Sequence, residues 1–150
     1  MNKITPFLWF DGQAEEAMKF YLSIFKNSKK TSVKRKDGKV IATTFQLNGQ
    51  DFIALNGGPH FKFTPAISFF IHCKTQAEID HYWEKLSKGG KKSQCGWLTD
   101  KYGLSWQIVP EALEEILWKA SPKAKDRVWD ALMKMTKLDI KALKAAANQK

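Results

Sequence analysis

Few side chains in this sequence are suited to catalysis or to metal binding. Its histidines and cysteines are His60, His72, His81, Cys73 and Cys95. A metal site with an open catalytic position needs about three strong protein ligands, and these residues show no ligand spacing. A reactive cysteine needs a neighbouring base, and cations such as Lys91 and Lys92 favour the thiolate of Cys95. Cys95 with His60 is one candidate pair and an inert structural thiol is the alternative, so no catalytic residue is assigned.

The elements that position these residues form an internal repeat with an offset of 63 positions. Gln13-Ala14-Glu15 and Gln76-Ala77-Glu78 each open a helix-patterned stretch that follows a strand-patterned one, and the same offset carries Leu8 onto Ile71. One strand–helix–strands unit leaves an apolar sheet face that it cannot bury alone. Two such units predict a single α+β domain with a sheltered concavity.

Apolar periodicity and turn signals locate the elements of each unit. The first unit is predicted to have a strand at 4–10, a helix from Gln13, and strands at 31–36, 40–47 and 51–55. The second is predicted to have a strand at 66–72, a helix at 76–87, and strands at 93–98 and 104–109. Helices are predicted after Pro110, at 111–119, at 122–135 and from about 139.

The two-residue alternation of a strand predicts which side chains face the concavity. These are Thr5, Phe7, Trp9, Phe52, Ala54, Asn56, Ser68, Phe70, Ser105 and Gln107, with His60 in a loop and Cys95 at the mouth. The set is aromatic and neutral with a few polar groups, which is typical of a pocket for a planar or apolar small molecule. The alternative is that these aromatic side chains fill the interior themselves.

Composition and charge restrict the other classes of function. The 150 residues are 43% hydrophobic and carry a net charge of +10, which suits one globular domain. The lysines cluster without interleaved aromatic residues, so a nucleic-acid partner is not favoured and a solvated strand edge is. No apolar run is long enough to span a membrane, and no signal peptide is recognisable. Two distant cysteines then favour a cytoplasmic protein with free thiols.

Three separated segments resemble PhnB-like proteins of the vicinal oxygen chelate superfamily, which includes glyoxalase I, ring-cleaving dioxygenases and bleomycin resistance proteins. The first segment is 4–21, which contains Ile4-Thr5-Pro6-Phe7-Leu8-Trp9-Phe10 and Ala14-Glu15-Glu16-Ala17. The second is 52–58, with the sequence Phe-Ile-Ala-Leu-Asn-Gly-Gly. The third is 95–107, with the sequence Cys-Gly-Trp-Leu-Thr-Asp-Lys-Tyr-Gly-Leu-Ser-Trp-Gln. The resemblance implies two βαβββ modules, at about 3–56 and 65–109, that form an open half-barrel within a domain at 1–110. It also implies a homodimer. In the helical tail at 111–150, Val128, Leu132 and Met135 make an apolar stripe flanked by Trp129, and this stripe must pack on the domain or on the dimer partner.

Metal-dependent members of the superfamily carry His, Gln or Glu at four strand positions. The resemblance maps these onto Thr5, Ala54, Ala66 or Ser68, and Gln107. Only Gln107 is a strong donor, so we expect no metal and no other cofactor. Some members are labelled demethylubiquinone methyltransferase, but Asn56-Gly57-Gly58-Pro59 lacks the following helix of a nucleotide-type site.

The sequence therefore predicts a protein that binds a small molecule in the cleft. The alternatives are a metal-dependent lyase, isomerase or dioxygenase of the same superfamily, and a non-catalytic dimeric interaction module. The ligand itself is not identified by the sequence.

Overall fold

The computed structural model describes residues 1–149 and divides the chain between Phe63 and Thr64 into two units. The first unit contains β1 (Phe7–Phe10), α1 (Ala14–Ile24), β2 (Ser28–Lys36), β3 (Lys39–Leu47) and β4 (Gln50–Asn56). Its sheet has the order β1-β4-β3-β2, with β1 parallel to β4. Asp37-Gly38 and Asn48-Gly49 make the two tight hairpin turns with positive φ at all four residues, as the sequence signal requires.

The second unit repeats this order of elements. It contains β5 (Ser68–Cys73), α2 (Gln76–Ser87), β6 (Lys91–Lys92), β7 (Trp97–Thr99) and β8 (Ser105–Pro110). The sheet order is β5-β8-β7-β6, and β5 runs parallel to β8. The expected α+β fold with two βαβββ modules and C-terminal helices is therefore confirmed.

The predicted strand at 93–98 is wrong over most of its length. Cys95 and Gly96 have φ values of 58° and 82°, which interrupt an extended strand. Their backbone N–H groups donate to the carbonyl oxygens of Met135 and Thr136 at 2.9 and 2.8 Å. The segment is therefore a loop that binds the C-terminal part of the chain.

Three helices follow the second module: α3 (Glu111–Lys119), α4 (Pro122–Met133) and α5 (Ile140–Ala147). Ser121 and Asp139 cap α4 and α5, since their side chains accept hydrogen bonds from Ala124 N and Ala142 N. The helices share one buried cluster with the end of β8, formed by Val109, Leu113, Val128, Leu132, Leu138, Leu143 and Ala146. This tail thus belongs to the second unit of the chain.

Strand register refines the repeat. Phe7 lies opposite Ile53 in the first unit, and Phe70, its mate at offset 63, lies opposite Gln107 in the second. Because β6 and β7 are shorter than β2 and β3, the sequence offset between the two units is smaller than 63 at their last strands. Ile53, and not Ala54, is therefore the residue of β4 that corresponds to Gln107 of β8.

Within the described residues, no helix is both long and apolar enough to cross a membrane.

Candidate functional site

A cavity of about 620 Å³ lies within the second unit, between its sheet and the tail helices. Alternate residues of β8, Ser105, Gln107 and Val109, form one wall together with Phe70 of β5. Pro65, Trp97 and the loop at 93–95 also line it. A volume of roughly 300–1,000 Å³ is usual for small-molecule sites, so the cavity is large enough for a ligand of several rings.

The opposite wall of this cavity comes from the tail. Leu113, Glu114 and Leu117 belong to α3, and Trp129, Leu132 and Met133 belong to α4. The sequence drew attention to an apolar stripe on α4 flanked by Trp129, but nothing in the stripe specified its partner. Sequence reasoning therefore missed this half of the site.

Gln76 holds the tail in place. Its Nε2 donates to the Leu138 carbonyl oxygen at 3.0 Å, and its Oε1 accepts from Ile140 N at 2.9 Å. Close by, Lys137 Nζ lies 2.8 Å from Asp80 Oδ1. The hydrogen bond from Lys137, followed by that from Gln76, lowers the pKa of Asp80 below its ordinary value. Polar contacts at the start of α2 thus fix the segment that connects α4 to α5.

The floor of the cavity contains a small group of neutral polar side chains. Ser68 and Ser105 lie opposite each other on β5 and β8. Gln107 Nε2 donates to Ser68 Oγ at 2.9 Å. Ser105 is only 1% exposed and lines the cavity. Ser105 and Gln107 line this cavity together with Phe70, whereas the sequence analysis placed them, with Ser68, on the inward face of a half-barrel.

Cys95 also lines the cavity, and within the second unit its thiol contacts a carbonyl oxygen and a thioether rather than a base. Its Sγ contacts the Leu132 carbonyl oxygen at 3.5 Å and Met133 Sδ at 3.9 Å. His60, the base considered for it, is an exposed loop residue of the first unit. Cys73 is fully buried and burial raises the pKa of its thiol to about 12. Both cysteines are free, and neither environment is that of an activated nucleophile.

In the first unit, residues that were expected to share one face of the sheet lie on opposite faces. Phe7 and Trp9 lie on one side of the sheet, whereas Phe52 is buried on the other and stacks on Phe45 with ring centroids 5.4 Å apart. Asn56 accepts a hydrogen bond from Ala14 N at 2.8 Å and so holds the start of α1. The assignment of Phe52, Ala54 and Asn56 to the face of Trp9 is therefore wrong.

Trp9 and Thr5 have structural contacts of their own. The Trp9 indole N–H donates to the Gly58 carbonyl oxygen at 2.9 Å. The Trp9 ring packs edge-on against the Phe61 ring, with the ring centroids 4.9 Å apart. Thr5 Oγ1 donates to the Asn2 carbonyl oxygen at 3.0 Å. These contacts order the loop after β4 and the chain before β1, within the first unit.

The residues at the superfamily's metal positions do not fit a divalent ion. On β4 the strand register places Ile53, and not Ala54, at the position of the metal ligand, and neither side chain has a donor atom. Thr5 and Ser68 offer hydroxyls, which are weak ligands, and Gln107 is hydrogen-bonded to Ser68. Among residues 1–149, no group of three or more His, Cys, Asp and Glu side chains is placed to hold a metal.

Two βαβββ modules with matching sheet orders define the class of this protein as the glyoxalase and bleomycin resistance fold, the vicinal oxygen chelate superfamily. Residues 2–109 match the model of the family described as 3-demethylubiquinone-9 3-methyltransferase. The chain belongs to this family and is PhnB-like. Its helical tail lies beyond the matched residues.

Solved structures agree with this assignment. A Bacillus cereus protein described as PhnB is 42% identical, with a TM-score of 0.69 over 73% of this chain and 99% of its own. A Pseudomonas aeruginosa protein is 17% identical, with a TM-score of 0.62 over 73% of this chain and 98% of its own. The Listeria monocytogenes fosfomycin resistance protein FosX, solved with Mn(II) and sulfate, is 16% identical, with a TM-score of 0.58 over 79% and 96%. The last two show the fold alone. No curated protein matches the chain.

Proposed function

We propose that this protein binds a planar, largely apolar small molecule in the cavity between β5, β7, β8 and the tail helices. The observation that carries the proposal is the composition of that cavity. Its volume is about 620 Å³, and its walls are mainly aliphatic and aromatic with a few neutral polar groups. Such a lining favours a flat apolar ligand because burial of its surface and stacking on aromatic rings both stabilise the complex.

Naphthalene is a minimal probe of this proposal, and equilibrium dialysis measures its affinity directly. We expect binding by the wild-type protein and about tenfold weaker binding by Trp129→Ala, since the lost ring contact contributes about 1.4 kcal/mol. Trp118→Ala is the matched control: Trp118 also lies in the tail but is 85% exposed and does not line the cavity. Absence of naphthalene binding, or an equal loss in the Trp118 variant, would refute the proposal.

We also propose that binding requires no metal. Supporting this, Ile53 and Ala54 lack donor atoms, and Ser68 and Gln107 bind each other. Metal analysis of protein purified without chelator tests the point: near-stoichiometric divalent metal would favour the lyase, isomerase or dioxygenase alternative.

Methyl transfer receives no support from the residues of this chain. After Asn56-Gly57-Gly58-Pro59 the chain continues without a helix until α2, so the glycines do not form a nucleotide-binding turn of the strand–turn–helix type. We therefore propose ligand binding and not methyl transfer.

We also propose that the protein forms a homodimer and is located in the cytoplasm. Its support is the resemblance to dimeric relatives, several exposed apolar side chains such as Ile4 and Phe7, and two cysteines that form no disulfide. Light scattering coupled to size exclusion measures the mass, and a monomer at micromolar concentration would contradict the dimer.

A further inference from the structure

We infer that Ser105 and Gln107 recognise a neutral hydroxyl or phenol group on the ligand, and that Ser68 positions the Gln107 amide; the three residues are here called the floor cluster. This inference rests on the proposed function and adds to it the polar chemistry of the ligand. Ser105 and Gln107 line the cavity, and Ser68 accepts a hydrogen bond from Gln107. The three side chains lie on one face of the paired strands β5 and β8, with Ser68 opposite Ser105.

Ser105 places a hydroxyl group at the wall of the cavity. The residue is 1% exposed overall and lines the cavity, so the cavity is the place where its hydroxyl can meet a ligand. A hydroxyl both donates and accepts hydrogen bonds, and a polar group shielded from bulk water gains from a hydrogen-bond partner. A ligand in the cavity can supply that partner.

The Gln107 side chain is oriented by a hydrogen bond. Donation from its Nε2 to Ser68 Oγ at 2.9 Å restrains the amide. A glutamine amide has two donor hydrogens and an acceptor oxygen, and the structure uses one donor. The second amide hydrogen and the amide oxygen of Gln107, together with the Ser105 hydroxyl, can therefore both donate and accept hydrogen bonds. A hydroxyl on the ligand does both as well, so it complements the floor cluster.

The charge around the cavity disfavours an anionic ligand. The protein carries a net charge of +10, but among residues 1–149 no lysine or arginine lines the cavity, and Glu114 is the one charged residue of its wall. Glu114 Oε2 lies 3.0 Å from His72 Nδ1. An anionic ligand would lose its hydration there without gaining a cationic partner. The polar group of the ligand is therefore neutral, and a carboxylate or phosphate is excluded.

Three probes of nearly equal shape test the inference: naphthalene, 2-naphthol and 2-naphthoate, measured by equilibrium dialysis at pH 7. We expect wild-type protein to bind 2-naphthol about fivefold or more tightly than naphthalene, since one neutral hydrogen bond changes affinity by about that factor, and to bind 2-naphthoate most weakly. Ser105→Ala should remove most of the 2-naphthol preference while the naphthalene affinity stays within about twofold. Ser23→Ala, at an exposed serine of α1 that does not line the cavity, should keep the preference.

The outcomes separate this inference from the proposed function. If naphthalene does not bind, the proposed function fails. If naphthalene binds but 2-naphthol binds no more tightly, or 2-naphthoate binds best, the floor cluster is not a site for a neutral hydroxyl. Retention of the preference in Ser105→Ala would overturn the inference as well. Should Ser105→Ala fail to fold, Gln107→Met supplies the second variant, and the same loss of preference is expected.

Discussion

Replacing Gln76 by alanine should loosen the tail while leaving the two modules folded. The substitution removes both hydrogen bonds to the segment between α4 and α5, those to the Leu138 carbonyl oxygen and from Ile140 N. Each neutral hydrogen bond contributes about 1 kcal/mol net. Gln76 is half-buried, so water can partly replace its amide, and the expected loss of stability of the docked tail is about 2 kcal/mol.

The repeat itself supplies the matched control. Gln13 occupies the corresponding place before α1, but it is exposed and its side chain makes no capping hydrogen bond. Gln13→Ala therefore removes the same atoms at the repeat-related position, which is the N-cap of α1, whereas Gln76 is the first residue of α2. We expect its effect on the free energy of unfolding to stay within about 0.5 kcal/mol, the usual range for surface substitutions.

Amide hydrogen exchange at Ile140 is the most direct assay. A loss of about 2 kcal/mol should accelerate exchange there by about 30-fold in Gln76→Ala, with little change at amides in β3 and β4. Urea unfolding followed by tryptophan fluorescence gives the accompanying change in stability. Unchanged protection of Ile140 in Gln76→Ala, or an equal loss of protection in Gln13→Ala, would show that Gln76 does not anchor the tail.

Two other predictions follow from the same region. Gly96→Ala should destabilise the protein by more than 2 kcal/mol, because φ is 82° and an added Cβ would lie 2.8 Å from the Ile108 carbonyl oxygen and 3.1 Å from the Leu138 side chain. Gly12→Ala, with a φ of 80° and open space around the added Cβ, should cost only about 1 kcal/mol. Similar losses of stability for the two variants in urea titrations would contradict this packing. A thiol reagent should label Cys95 first, since it borders the cavity, while Cys73, buried and with its pKa raised to about 12, reacts only on unfolding. Mass spectrometry of the labelled peptides decides this, and early labelling of Cys73 would be inconsistent with its burial.

The order and type of the elements were predictable because they depend on local signals. Helical apolar spacing predicted α1 and α2, and Asp37-Gly38 and Asn48-Gly49 predicted the hairpins of the first unit. The strand near 93–98 failed because its conformation depends on a distant partner. Hydrogen bonds from Cys95 and Gly96 to Met135 and Thr136 stabilise a loop there, and strand propensity carries no information about that contact.

The predicted strand faces were correct on β8 and wrong on β4 for a similar reason. On β8 the alternation of Ser105 and Gln107 with buried Trp106 and Ile108 identified the face that borders a cavity. On β4 both faces carry apolar residues, Phe52 on one and Ile53 on the other. A shift of one residue exchanges the faces of a strand, and the apolar run from Phe52 to Leu55 does not reveal such a shift. Only the pairing of Phe7 with Ile53 settled it.

Local chemistry in the sequence determined the duplicated βαβββ pattern, the family, and the polar residues of the second sheet. The tertiary structure decided where the tail packs and hence which cavity exists. The apolar stripe of α4, with Val128 and Leu132, requires an apolar partner, but the hydrophobic effect is non-directional and does not specify which one. Directional contacts made that choice, namely those of Gln76 and of the loop at Cys95 and Gly96. They join residues 40 to 64 positions apart, and such contacts form only when the chain has folded.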